Sequence, residues 1–183
     1  MRRVWALVLA GWLAVSGPAW GQQNEDTENW RRIDSRYCTI WAHPAVDLGK
    51  VNRKISTWRV RPRVKAAKDG TEEGELAAKC DTIFRRAEEI LDMYPPGIHT
   101  TLKIAKERHQ ISSTHAARYG HGTDAVAFYV FEENTIYVAV KDISEDVLVH
   151  EIAHCIIDHY FGIRPPRKIE ELLAMHVDTS LRE

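Results

Sequence analysis

His150, Glu151 and His154 stand in the order H-E-x-x-H. On an α-helix, residues four apart lie on one face about a turn from each other, so both imidazoles can aim at a single point. Such a point suits a zinc ion. Glu151 is turned about 100° around the helix from His150. That keeps it beside the ion, where it can take a proton from a water that the metal activates. Val147, Leu148, Ile152, Ala153, Ile156 and Ile157 surround the motif and predict a helix sunk in a core. Charged and histidine side chains in that setting need partners.

A catalytic zinc takes three protein groups and leaves one position for water. The motif helix is predicted to end near Gly162, a residue suited to a left-handed cap, and Pro165-Pro166 forbids its continuation. A second helix is predicted over residues 168–180, because Ile169, Leu172, Leu173 and His176 recur at helical spacing. It contains Glu170-Glu171-Leu172-Leu173-Ala174.

Here the chain resembles the gluzincin group of the zincin metallopeptidases, in which a later helix supplies a glutamate ligand in the pattern E-x-x-A. Glu171 to Ala174 matches that pattern. The resemblance implies Glu171 as third ligand, with Glu170 as the alternative, and one Zn2+ per chain. Sixteen residues lie between His154 and Glu171, close to but not identical with the commonest interval of that group. A metzincin would need glycine and histidine where Ile157 and Tyr160 stand.

Asp178 lies two helical turns beyond Glu171 on the same face and is a candidate to hydrogen-bond the outer nitrogen of a ligating histidine, the alternative being a solvated aspartate. Asp158 and His159 are read as polar residues of the last exposed turn. Tyr137, Tyr160 and His176 are candidates to steady a developing oxyanion; for His176 a structural role is the alternative.

Residues 1–21 combine Arg2-Arg3, an apolar run over 4–15 and a small-residue site at Ala19-Trp20-Gly21, the pattern of a secretory signal peptide. The run is too short to span a bilayer, so no membrane span is expected after signal removal, and the predicted location is periplasmic or secreted. The whole chain carries 25 basic and 26 acidic residues, a formal charge of -1. Loss of Arg2 and Arg3 makes it more negative, which speaks against a nucleic-acid partner. Export would place Cys38, Cys80 and Cys155 in an oxidising compartment. Cys155 reads as a small buried residue, and Cys38 with Cys80 as a candidate disulfide, free thiols being the alternative.

The elements that must position these groups follow from pattern. Residues 22–36 are expected to be a polar N-terminal segment, and 37–183 a single domain. Strands are predicted over 37–42, 57–64 and 100–105, with a hairpin of 125–131 and 135–140. Helices are predicted over 47–55, 75–93 and part of 107–119, and 65–74 reads as a surface loop. Asp142 and Ser144 both offer an N-cap to the motif helix.

This is an α+β chain whose element order resembles the zincin N-terminal subdomain: a mixed twisted sheet with an edge hairpin packed on a zinc-binding helix, followed by a ligand helix. The resemblance implies an exported zinc metallopeptidase that acts on a peptide or protein substrate, with an extended peptide pairing along a hairpin strand. The sequence stops at Glu183, which implies a shallow site like that of the compact minigluzincins, or a protein partner that completes the cleft. A catalytically weak zinc-binding scaffold and a zinc amidase acting on cell-wall peptides are the alternatives.

Overall fold

The computed structural model describes residues 29–57 and 70–181. The predicted signal peptide, the first seven residues of the polar segment 22–36 and nearly all of the predicted strand 57–64 lie outside them. Ten strands and α-helices follow in order among the described residues: β1 (Arg31–Asp34), β2 (Cys38–Ala42), α1 (Leu48–Lys54), α2 (Glu72–Leu91), β3 (Thr100–Ala105), α3 (Arg108–Tyr119), β4 (Ala127–Val130), β5 (Thr135–Ala139), α4 (Glu145–Tyr160) and α5 (Arg167–Ser180), with one 3-10 turn, Phe131–Glu133, between β4 and β5. They form an α+β fold around a mixed sheet of order β1-β2-β3-β5-β4. The central strands β2, β3 and β5 are parallel, and β1 and β4 are antiparallel at the two edges.

Alternation divides the sheet into two faces. Cys38, Ile40, Leu102, Ile104, Ile136 and Val138 join one core with residues of α1, α2, α4 and α5. On the other face, Ala105, Val130, Tyr137 and Ala139 form a smaller cluster with Ile111 of α3. Covered on both sides, β5 is buried at every position, as its apolar run after Thr135 requires. Among the described residues no helix is long and apolar enough to cross a membrane.

Local chemistry sets the helix ends. Ser144 caps α4 by accepting from the Val147 N–H, and Glu145 and Asp146 occupy its positive first turn. Asp142 pairs instead with Arg108. The predicted left-handed cap at Gly162 does not form: α4 ends at Phe161 with φ -88°, and Gly162 is not among the residues of positive φ. Thr71 caps α2 through the Gly74 N–H, so the helix starts within the predicted loop 65–74.

The predicted polar segment 22–36 also needs correction at its end. Arg31–Asp34 is an edge strand in which only Ile33 is buried; backbone pairing with β2 suffices to hold it. Cys38 and Cys80, the candidate disulfide pair, lie within hydrogen-bonding reach of each other. Cys38, Cys80 and Cys155 are free buried thiols; a hydrogen bond with Cys38, followed by burial, raises the Cys80 thiol well above its ordinary value.

Candidate metal centre

α4 is the central helix of the larger core, with Leu148, Val149, Ile152, Ala153, Cys155, Ile156 and Ile157 buried. Its remaining face carries His150, Glu151 and His154 beneath the edge strand β4. The neighbouring α5 buries Glu170, Ala174 and Val177, which turns Glu171 toward the two histidines. The Nε2 atoms of His150 and His154 are 3.3 Å apart. Glu171 Oε2 is 3.7 Å from His150 Nε2 and 3.8 Å from His154 Nε2. Four-coordinate zinc at about 2.0–2.2 Å from each ligand places tetrahedral ligand atoms about 3.3–3.6 Å from one another. The three atoms therefore fit one such ion with little movement, and they are the one such ligand cluster among the described residues.

Charge agrees with the spacing. His150 Nδ1 lies 3.0 Å from Asp178 Oδ2. A carboxylate accepts, so Nδ1 carries the proton and the Nε2 lone pair is presented to the cluster. The Asp178 hydrogen bond, outweighing burial, raises the pKa of His150. Burial and then the His150 charge lower that of His154. Two imidazole lone pairs and a carboxylate converging at this distance repel one another unless a proton or a cation lies between them.

Glu151 does not join the three. Burial pushes its carboxyl up to about 7, against the pull of His150 and of a hydrogen bond from the Tyr129 backbone N–H. It borders a groove of about 610 Å³ whose lining also includes Ala127 and Tyr129 of β4 and His115, Tyr119 and His121 from the end of α3 and the turn after it. His115 and Tyr119 fall in the predicted helix 107–119, whose pattern does not mark them as groove residues. The His115 Nδ1–H donates to the His121 carbonyl at 2.9 Å.

The other sequence candidates lie elsewhere. Glu170 is buried and bonds to Arg164, Nε to Oε1, at 2.8 Å, so Glu171 and not its neighbour faces the histidines. Tyr137 points to the opposite face of the sheet, where its hydroxyl donates to Glu133 Oε2 at 2.6 Å and accepts from Arg118. Tyr160 is exposed at the end of α4 and stacks edge-on with Phe161. His176 is exposed on α5, with Nδ1 3.5 Å from the Ser180 hydroxyl. None of these three lines the groove. His159 is exposed, but Asp158 is buried, contrary to its reading as a residue of an exposed turn, and burial raises its carboxyl to about 6. Arg164, missed in the sequence, is its ion-pair partner. Compared with known protein families, curated proteins and solved structures, the chain matches none.

Proposed function

We propose that the chain is an exported zinc-dependent hydrolase of peptide bonds, with a gluzincin-like site in a zincin-like subdomain. The observation that carries this reading is the convergence of His150, His154 and Glu171 within 3.8 Å of one another, with Glu151 beside them in an open groove. His150, His154 and Glu171 would hold the ion, and Asp178 fixes the tautomer of His150. Bound zinc supplies Lewis acidity, which acidifies water and polarises a carbonyl.

Glu151 takes the proton of the attacking water and returns it to the leaving amine. Burial raises its carboxyl and a bound cation would draw it back down, which leaves a group able both to take and to return a proton. β4 is an edge strand, and its Tyr129 backbone faces Glu151. An extended peptide laid along that edge gains backbone hydrogen bonds and brings its scissile bond over the cluster.

Zinc content and hydrolysis test the reading together. Wild type should carry about one zinc per chain, and Glu151→Gln should keep the metal while losing roughly 10²–10⁴ in turnover. Profiling of a secreted or periplasmic proteome, with cell-wall peptides in parallel, supplies the substrates. Turnover unchanged in Glu151→Gln would remove the general base. Zinc binding with no wild-type hydrolysis of either set would leave a metal-binding scaffold, and cleavage of cell-wall peptides alone would make the protein an amidase.

A further inference from the structure

Arg164 lies in the connector between α4 and α5 and reaches both. Its Nε donates to Glu170 Oε1 at 2.8 Å and its Nη2 to Oε2 at 3.4 Å, while Nε lies 3.5 Å from Asp158 Oδ1. The two carboxylates are almost sealed, at 3% and 1% side-chain exposure, whereas the guanidinium is half open. Asp158 stands one turn beyond His154 on α4. Glu170 directly precedes Glu171 on α5. One guanidinium thus ties the helix that carries two ligands to the helix that carries the third.

The start of α5 lacks a side-chain cap, its N-cap being Pro166. The Asp158 and Glu170 carboxyls lie against each other, and the guanidinium is the cation that both face. The Phe131 ring, 5.5 Å from the guanidinium carbon, limits its movement on the side of the β4-β5 hairpin. Glu170 and Glu171 are about 100° apart around the helix, so holding the first inward fixes the direction of the second.

We infer that Arg164 is a positioning residue for the metal centre: by joining Asp158 to Glu170 it sets the helix separation at which Glu171 meets His150 and His154. The inference rests on the metal reading above and is independent of the hydrolytic one. Zinc–ligand distances tolerate only about ±0.2 Å, so a ligand helix released at its first turn holds the ion less well. An arginine that only neutralised two buried acids would support the fold without favouring the bound ion.

Zinc affinity, measured by competition with a chromophoric chelator, separates the two roles. In the otherwise unchanged chain, Arg164→Met should weaken zinc binding about 10- to 100-fold. Arg164→Lys, which keeps the charge and loses the planar fork, should recover part of that loss. In a Glu171→Ala background, titrated at the higher zinc concentrations that its two remaining ligands require, the same Arg164→Met change should alter the weak residual affinity by less than about twofold, because its effect passes through the missing ligand. Equal affinity of wild type and Arg164→Met would overturn the inference, as would an equal loss with and without Glu171. If circular dichroism shows Arg164→Met unfolded, Arg164→Lys and Glu170→Gln carry the same paired comparison, with a severalfold loss expected only where Glu171 is present. A wild type that binds no zinc would overturn the metal centre itself, an outcome distinct from failure of the clasp.

Discussion

On the α3 side of the sheet, Arg118 donates to both oxygens of Glu133 at 2.7 and 2.8 Å and the Tyr137 hydroxyl completes the set. The Arg118 hydrogen bonds hold the Glu133 carboxyl below its ordinary range. On the α4 side, burial drives Glu151 up to about 7 and Asp158 up to about 6. Both faces hold charge, but the first pairs a solvent-accessible acid with its base and the second gathers buried acids and imidazoles with too few donors. A satisfied network contributes rigidity. An unsatisfied one has capacity left for a ligand, and perturbed carboxyls in a groove mark where chemistry is feasible.

The hardest blow to this contrast is His150→Ala. Zinc measured by elemental analysis should fall from about one per chain to near zero, since two ligands do not complete a site; a full equivalent retained would place the metal elsewhere. Asp178→Ala should weaken zinc about 10- to 100-fold by freeing the His150 ring, and unchanged affinity would show that the carboxylate does not orient it. Tyr137→Phe tests the other face. It should cost about 1 kcal/mol in urea unfolding with zinc affinity unchanged, and a loss of zinc would mean that the faces are coupled.

The smallest effect is in the pH dependence, where the two faces should differ in sign. The Glu133 pKa is depressed by folding, so its contribution is present above the ordinary carboxylate value and lost as pH falls through the folded one. The Asp158 pKa is raised, so its contribution is full below 3.8 and lost as pH rises through about 6. Urea midpoints across pH should show wild type losing ground to Asp158→Asn over that window. The deficit of Glu133→Gln should shrink toward acid pH. Parallel curves for both variants would erase the distinction.

The residues of the site were legible where geometry is local. His150 and His154 sit on one helix face and Glu171 and Asp178 on another, as helical period requires, but that the two faces meet was implied only by the family resemblance. Tyr137 was not legible in the same way. All five positions of β5 are buried, and alternation cannot tell one face from the other when both are apolar. Asp158 depended on Arg164 folding back from the connector, a tertiary event with no periodic signature, although Arg164 stands six residues from each of its carboxylates. Strand β1 offered one apolar residue in four, too little for a pattern, and its existence follows from β2 having a free edge. The start of α2 was readable from Thr71 followed by Glu72, Glu73 and Glu75, but glycines and charge favoured a loop.

The three candidate ligands are divided unequally between a helix held in the core and one at its margin. α4 buries residues along its whole length, whereas Ile169, Leu172 and Met175 of α5 remain 45–57% exposed. A cross-link between two such helices stabilises the weaker one most, because opening free energy is lowest at the periphery. Metal supply would therefore be read out as the durability of the last helix. Chains starved of the ion would expose α5 first to amide exchange and to proteases, and their lifetime would report how much metal their surroundings hold.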